Sequence, residues 1–470
     1  MLMLTERTNG DDSRFSFWLR VREFAVPPSM IETSTARRRV GDWAGASAAA
    51  GFDVDFTLRS VARSHGHELA ARIRADLRYL APDLLRWHLP RVAPDGLLRP
   101  GLTIALARYD AAPDRRGRAR AVHLVVRTAP AWADAGQRIS LALWDGAAGA
   151  GTSLHPHPRP DRRFRLDLHR HLWDSRRADE LGIRSGAERP AGNRPSLDPE
   201  LLATVPQVRR CAVDRWADEA EILRRAEGRR SGTFVVRFGG RQRLVLELDA
   251  GPRGGAGPPM VRIASGYPVG GVSALPVLPD AATWVLPDLE LIRTGAIAAD
   301  RLHPLVASAL VPDYSPTDAP RIPSRPGEPR LVQCRGEQHR IGLVDGVLAA
   351  RDHDPSEIRR EELLAALTGT PLPCLRAIDE AHRHPDCLVG VRDRLDHGDT
   401  AGALGVVVGL LGPDVSLRDG ALRVALEAAA QRRITYGLFK AGLSEPGIGR
   451  VPPVRRPRDR RAHPRNATSH

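Results

Sequence analysis

Four histidines and an aspartate fall within one short window and could together bind a metal ion. The segment HPHPRPDRRFRLDLHRHLWD, residues 155–174, contains His155, His157, His169, His171 and Asp167. In extended chain the two histidines of an H-x-H pair lie on one side, because alternate residues of a strand share a face. Zinc accepts several imidazole and carboxylate ligands. The window therefore predicts a metal site formed by these five residues, which would belong to a metal-dependent, hydrolase-like enzyme.

The same window also favours a second interpretation, in which the histidines are solvated or hydrogen-bonded structural residues. The sequence HPHPRP alternates histidine with proline, which favours extended chain without the fixed backbone of a preorganised site. Seven arginines lie between Arg159 and Arg177, and their charge opposes a divalent cation. Phe164, Leu166 and Leu168 alternate with polar residues as in any half-buried strand. Apart from this metal, the sequence predicts no cofactor.

A second carboxylate motif lies earlier in the chain. The residues DVDFT place Asp53, Asp55 and Thr57 in a D-x-D-x-T pattern. This pattern resembles the motif of haloacid-dehalogenase-like phosphotransferases, in which the first aspartate is the nucleophile and the second is the acid/base. In that family the motif follows a buried hydrophobic strand, whereas here it follows GASAAAG, the end of a small-residue helix. We therefore expect Asp53 or Asp55 to cap a helix.

The single lysine excludes several enzyme classes. Lys440 is the only lysine among 70 basic residues. The chain therefore lacks the P-loop motif G-x-x-x-x-G-K-[ST] and the lysine of a kinase V-A-I-K motif. It also contains neither the G-x-S-x-G motif nor the H-E-x-x-H motif. The sequence identifies no catalytic residue.

The net charge of +14 suggests a nucleic-acid partner, but the residue types weaken that interpretation. Arginine, alanine, glycine and proline have GC-rich codons, so a GC-rich genome yields this composition without an anionic partner. Much of the excess lies in RVPPVRRPRDRRAHPR, with seven arginines against Asp459. We expect the tail, residues 446–470, to be disordered and to add weak, nonspecific polyanion binding that falls with salt. A nucleic-acid-associated protein acting through this tail is one alternative function.

Cysteine usage and hydropathy predict a cytoplasmic protein without a membrane segment. The cysteines at positions 211, 334, 374 and 387 form no C-x-x-C pair, which fits a reducing compartment. The N-terminal segment has no apolar core of signal-peptide length. The longest nearly apolar run, GALGVVVGLLGP, is shorter than the roughly 20 residues that span a bilayer.

Hydrophobic periodicity predicts the helices and strands that would position these residues. Residues 14–26 mix aromatic and β-branched types and predict a strand, and a helix should run from a Ser29 cap to Ala50. Helices are predicted over 57–88, within 199–228 and throughout 354–443, and a hairpin should turn at Asp345-Gly346. The predicted strands are LTIALARY, AVHLVVRT, RISLALW, TFVVRF, RLVLELD and MVRIA.

The predicted fold class is α+β, with two mixed α/β domains followed by a mostly helical C-terminal domain and a disordered basic tail. Breaks in composition divide the chain, above all the proline-dense run PDYSPTDAPRIPSRPGEP. The predicted divisions are an N-terminal α+β domain at 1–146, a His/Arg/Pro-rich connecting segment at 147–199, a second α+β domain at 200–311, a proline-rich linker at 312–329, a hairpin plus helical domain at 330–445 and the tail at 446–470.

One internal repeat suggests a function. The stretches RRVGDWAGASAAAG and DHGDTAGALGVVVG share the pattern G-D-x-A-G-A, beginning at Gly41 and Gly398. A glycine that ends a helix, followed by an aspartate that caps the next one, predicts a helical hairpin. These turns resemble those of tetratricopeptide-like hairpins, and the resemblance implies a concave surface for a partner peptide. It covers only these two windows, and no repeat of about 34 residues connects them. Our leading expectation is an accessory or scaffold protein, without enzymatic activity, that binds an unknown protein partner.

Overall fold

The structure is a computed structural model that contains both helices and sheets. It describes residues 14–111, 120–133, 136–146, 155–188, 198–206, 210–239, 242–249, 260–266, 271–312, 314, 330–334, 337–344, 347–350, 356, 359–360, 363, 386–411 and 421–443. The chain forms two compact units, namely unit 1, which comprises residues 1–316 and 435–470, and unit 2, which comprises residues 317–434. The domain boundaries given above stay predictions, and the predicted disordered tail lies outside the described residues.

Unit 1 begins with a helix where the sequence predicted a strand. Helix α1 covers residues 14–24, so the strand prediction for residues 14–26 is wrong. Phe17, Trp18, Val21 and Ala25 are all buried, and their spacing follows the three- to four-residue repeat of a helix. The aromatic and β-branched residues of this segment form the buried face of a helix, because tertiary packing overrides their strand preference.

Five further helices follow, and they include the predicted helical region at 57–88. Helix α2, Pro28–Arg39, begins after Pro27 without a side-chain cap, so the predicted Ser29 cap is wrong. The chain then turns at Gly41 into helix α3, Trp43–Ala49. The helices of the predicted region are α4 (Leu58–His65), α5 (His67–Tyr79) and α6 (Pro82–His88).

The first sheet of unit 1 has four strands in the order β1-β6-β5-β4. The short strand β1 is parallel to β6, and the other neighbours are antiparallel. The strands are β1 (Phe52–Val54), β4 (Thr103–Ala111), β5 (Arg120–Thr128) and β6 (Ile139–Trp144), while β2 (Arg91–Val92) and β3 (Leu97–Leu98) form a separate pair. The last three strands of the sheet confirm the predicted ones.

The window that contains the four histidines, residues 155–174, lies along the outer edge of this sheet. We call it the histidine-rich segment. The backbone N–H groups of Asp161 and Asp167 donate to the carbonyl oxygens of Thr103 and Ala105 on β4, at 2.8 and 2.9 Å. Phe164, Leu166 and Trp173 are buried in the core that the sheet shares with helices α1 to α6. The segment thus protects an edge strand that would otherwise present unpaired backbone groups.

A second sheet in unit 1, with its own hydrophobic core, has three antiparallel strands in the order β7-β8-β9. The strands, which confirm the predicted ones, are β7 (Thr233–Arg237), β8 (Arg243–Asp249) and β9 (Met260–Ile263). Helices α8 (Pro199–Thr204), α9 (Trp216–Ala226) and α10 (Asp280–Thr283) contribute to the core of this sheet, whereas α7 (Glu180–Ser185), α11 (Pro287–Arg293) and α12 (Pro304–Leu310) contribute to the core of the first sheet. Along β7, Val235 exchanges backbone hydrogen bonds with Pro276 and Leu278, both 2.8 Å.

A buried ion pair connects the segments that border the two sheets. The guanidinium of Arg163 donates to both carboxylate oxygens of Asp280, at 2.9 and 2.6 Å. The N–H of Asp280 donates to the carbonyl of Arg163 at 2.8 Å. This reciprocal contact holds together the segments that border the first and second sheets.

In unit 2 the structure describes a three-stranded antiparallel sheet and a helical hairpin. The strands are β10 (Arg330–Cys334), β11 (Glu337–Val344) and β12 (Val347–Ala350), in that order. Val344 pairs with Val347, so β11 and β12 form the predicted hairpin, and the predicted turn at Asp345-Gly346 lies outside the described residues. Helices α13 (Asp386–Asp396) and α14 (Thr400–Leu411) follow, and the boundary between the units falls within helix α15 (Ala421–Lys440).

No helix in the described part of the chain is both long and apolar enough to cross a membrane.

Candidate anion-binding cleft

The first pair of predicted metal ligands is held by backbone groups. The buried imidazole of His155 donates from Nε2 to the carbonyl oxygen of Thr128 at 2.9 Å, and its Nδ1 accepts from the backbone N–H of His157 at 3.2 Å. Both ring nitrogens are therefore used, in the neutral tautomer with the proton on Nε2. Burial lowers the pKa of His155, which agrees with a neutral ring. The side chain of His157 is exposed.

The second pair lies in the core against a different set of partners. The rings of His169 and His171 are 5.7 Å apart, edge to face. His169 donates from Nδ1 to the carbonyl oxygen of Arg165 at 3.1 Å, and its Nε2 lies 3.2 Å from a carboxylate oxygen of Glu219. Both oxygens of Asp167 accept from the Arg165 guanidinium, at 2.8 and 2.7 Å. The guanidinium of Arg165 is thus a cation paired with this carboxylate.

The structure thus brings His155 together with His157 and His169 together with His171. Within the described ranges, no group of three or more histidine, cysteine, aspartate or glutamate side chains is arranged to hold a metal ion. The metal-binding prediction for His155, His157, His169, His171 and Asp167 stays a prediction.

The D-x-D-x-T motif forms a polar cluster with the end of helix α15. Asp53 on β1 accepts from the Arg138 guanidinium and, at 2.6 Å, from the Tyr436 hydroxyl. Asp55 pairs with Lys440, whose Nζ also donates to the Ser140 hydroxyl at 3.1 Å. Thr57, not either aspartate, caps helix α4, so the predicted cap at Asp53 or Asp55 is wrong. The carboxylates instead attach the end of helix α15 to the first sheet.

A cleft of about 1110 Å³ lies in unit 1 between the two sheets. One wall is built by residues 99–103, at the start of β4, and by residues 156–162 of the histidine-rich segment. The opposite wall includes residues of β7 and β8 and the loop from Val272 to Val277. Arg162 crosses between the walls and donates to the carbonyl oxygens of Ser273, at 2.8 Å, and Leu275. We call this feature the arginine cleft.

The lining of the arginine cleft is strongly cationic. Five arginines line it against a single carboxylate, that of Asp161, and these arginines are Arg99, Arg159, Arg162, Arg237 and Arg243. Asp161 also accepts from the backbone N–H of Arg163 at 2.9 Å. The excess of cations gives the cleft a positive potential, which concentrates anions.

Arg99 shows the effect of this potential on one side chain. Burial is the largest of the effects that lower the pKa of its guanidinium. The charge of Arg163 and, to a smaller extent, that of Arg237 lower this pKa further, whereas Asp280 and Asp161 raise it. Its Nη1 is buried without a hydrogen-bond partner among the described residues. A guanidinium remains charged under all ordinary conditions, so Arg99 presents a fixed positive charge at this wall.

Apolar and aromatic groups separate the arginines. Valines and prolines line the cleft, and the ring of Trp132 packs edge to face against Phe439 at 5.2 Å between centroids. The arrangement can bind an extended anionic chain that also carries apolar side chains. No local pattern in the sequence predicts this lining, because Arg99, Arg159, Arg237 and Arg243 come from separate segments and are a few arginines among many.

Comparison of the chain with protein-family models, curated proteins and solved structures yields no match. The function proposed below therefore rests on the residues of the arginine cleft and their geometry.

Proposed function

We propose that this chain is a cytoplasmic accessory protein, without catalytic activity, that binds an acidic segment of a partner polypeptide in the arginine cleft. The observation that carries the proposal is the lining of five arginines against one aspartate. A guanidinium binds a carboxylate through two parallel hydrogen bonds, which gives direction as well as attraction.

Two of the five arginines are well suited to an incoming carboxylate. Arg237 and Arg243 make no ion pair with another side chain in the described part of the chain, and Arg243 is exposed. Arg162, in contrast, is occupied by two backbone carbonyls. Binding at Arg237 and Arg243 would therefore break no existing ion pair.

The apolar lining favours a polypeptide over a nucleic acid. Proteins that hold single strands stack successive bases on several aromatic side chains, whereas Trp132 is the one aromatic ring among the described residues of the cleft apart from the imidazole of His157. Val272 and Val277, which are both partly exposed, instead offer contacts to aliphatic side chains. A peptide that combines acidic and aliphatic residues matches both parts of the lining.

Fluorescence anisotropy with the full chain tests this proposal. The probe is a labelled peptide of alternating glutamate and leucine, compared with its lysine/leucine counterpart and with a single-stranded DNA oligonucleotide. We expect saturable binding of the acidic peptide alone. Arg237→Glu/Arg243→Glu should weaken binding by about tenfold or more, because two attractive charges become repulsive.

The matched control places the same charge change outside the cleft. Arg59→Glu/Arg74→Glu changes two exposed arginines on helices α4 and α5, and it should leave the affinity unchanged. Equal losses in both double variants would mean that net charge alone drives binding and would overturn the proposal. Tighter binding of the oligonucleotide, lost on Arg237→Glu/Arg243→Glu, would assign the cleft to nucleic acid instead.

A further inference from the structure

A second, smaller space lies in the core of unit 1. This cavity of about 90 Å³ is bordered by helix α1, the end of helix α6, the histidine-rich segment and the chain around Asp280 and Pro287. It shares no lining residue with the arginine cleft. We call it the core cavity. Since a single water needs roughly 10–15 Å³ of such volume, the space suits several waters or one small molecule.

Three nitrogen atoms around the core cavity lack a hydrogen-bond partner among the described residues. They are Nε1 of Trp18, Nε2 of His88 and Nδ1 of His171. The side chains of Trp18 and His171 are more than nine-tenths buried, with 5% and 4% of their surface exposed. Buried polar groups are almost always hydrogen-bonded in folded proteins, so three unsatisfied atoms around one cavity point to a missing acceptor.

The three groups belong to one local environment. The charge of Arg22 acts on His88, and His171 and His88 also interact electrostatically. The same Arg22 guanidinium lies 5.2 Å from the ring centre of Trp18 and 4.4 Å from that of Trp87. All three side chains line the core cavity, so they border the space that a ligand would occupy.

The charges around the cavity suit one negative charge at most. Four of the five lining arginines already make bidentate pairs with carboxylates, namely Arg22 with Asp288, Arg163 with Asp280, Arg165 with Asp167 and Arg184 with Glu219. The fifth, Arg215, donates to the backbone carbonyl oxygens of Arg184 and, at 3.0 Å, of Trp284. Every lining guanidinium therefore already has acceptors, which does not favour a phosphate dianion. Besides the larger effect of burial, the charge of Arg22 lowers the pKa of His88, and the charges of His169 and Arg184 lower the pKa of His171, although Glu219 opposes them.

Most of the remaining lining is apolar. Leu89, Ile104 and Leu166 border the same space together with the aromatic rings of Trp87, Phe164 and Trp284, and they offer contacts to a short alkyl group. We propose that the core cavity binds a small aliphatic monocarboxylate, whose oxygens accept hydrogen bonds from the indole N–H of Trp18 and from the imidazoles of His88 and His171.

Proton–nitrogen correlation NMR of the full chain tests the site directly. The chain has eight tryptophans, and the missing indole resonance in Trp18→Phe identifies that of Trp18. Titration with acetate should shift this resonance saturably, while acetamide, which has the same shape without the charge, should not. Calorimetry should show acetate binding about tenfold or more weaker in Trp18→Phe, because one hydrogen bond to a charged group is lost.

Two controls distinguish loss of the acetate site from a general loss of folding in Trp18→Phe. Trp144→Phe changes a tryptophan at the end of β6 that lines neither the core cavity nor the arginine cleft, and it should bind acetate like the wild type. The wild-type titration itself requires no variant to fold. An equal shift with acetamide would show that charge is not recognised, and the absence of any shift with acetate would show that the cavity holds only water. Either result would overturn the inference.

Discussion

Buried histidines determine how the stability of unit 1 depends on pH. Burial, followed by the charges of His169 and Arg184, lowers the pKa of His171 well below its ordinary value. Burial also lowers the pKa of His88, His123 and His155. The folded chain therefore keeps these rings neutral at a pH where the unfolded chain binds protons. Their contribution to stability is complete above a pH of about 6.5 and is lost as the pH falls below it.

We predict that His171→Asn flattens this pH dependence. In the wild type, each histidine of this kind reduces the free energy of unfolding by up to about 1.4 kcal/mol for each pH unit below about 6.5. The variant should lose the slope of one such proton, measured by urea denaturation between about pH 5 and pH 7.

The control for this measurement is His67→Asn, which makes the same substitution at an exposed side chain at the start of helix α5 and should leave the wild-type slope in place. An unchanged slope in His171→Asn would contradict the neutral state assigned to His171.

Carboxylates add a second acidic transition. Burial alone would raise the pKa of Glu219, but His169 and Arg184 lower it by more. This contribution to stability is present above the unfolded value of about 4.3 and falls away below it. The sequence pattern identified His169 as a candidate site residue but could not identify Glu219 as its partner. The two residues meet only when helix α9 packs on the histidine-rich segment.

At the scale of elements, the repeated G-D-x-A-G-A turn forms the same hairpin twice. Gly41 and Gly398 have φ values of 79° and 86°, in the left-handed region that favours glycine. Asp42 then accepts from the N–H of Gly45 at 2.8 Å, and Asp399 from that of Gly402 at 2.9 Å. The hairpin prediction is therefore confirmed in both places.

An arginine supports the cap in each hairpin at the same spacing. Arg37 lies 3.3 Å from Asp42, and Arg394 lies 3.1 Å from Asp399. The aspartate side chain also explains the glycine that follows. A Cβ added to Gly45 or Gly402 would lie 2.1 Å from that carboxylate. Cap chemistry is local, which is why the sequence alone could predict it.

We predict that Asp42→Ala destabilises unit 1 by about 1 kcal/mol, because helix α3 loses its N-cap. Asp42→Asn should retain most of the stability, since asparagine caps a helix equally well. Denaturation of both variants with urea checks this prediction. Equal stability of Asp42→Ala and the wild type would mean that the cap contributes nothing in this hairpin.

The local sequence could not predict that helix α1 is a helix and not a strand. Its aromatic and β-branched residues fit a strand and one face of a helix equally well, and a short segment of this kind is ambiguous. Packing decides the outcome. Arg22 donates to both oxygens of Asp288, at 2.8 Å each, and to the carbonyl of Trp87 at 2.8 Å. The helix thus depends on partners that are distant in sequence.

At the scale of the whole molecule, the arginine cleft arises from the assembly of unit 1. Its walls come from the start of β4, the histidine-rich segment, strands β7 and β8 and the loop that follows β9. The sequence could predict those strands, because each has its own hydrophobic pattern. It could not predict the cleft, because no pattern specifies which of its many arginines face one another across two sheets.

The most direct test of the proposed function is a charge exchange in the arginine cleft. Arg237→Glu/Arg243→Glu inverts the charge at the two arginines assigned to the partner. In fluorescence anisotropy, this variant should lose the glutamate/leucine peptide and gain binding of the lysine/leucine peptide, while the wild type shows the opposite preference. If the variant and the wild type prefer the same peptide, the cleft does not select an acidic partner, and the central proposal is contradicted.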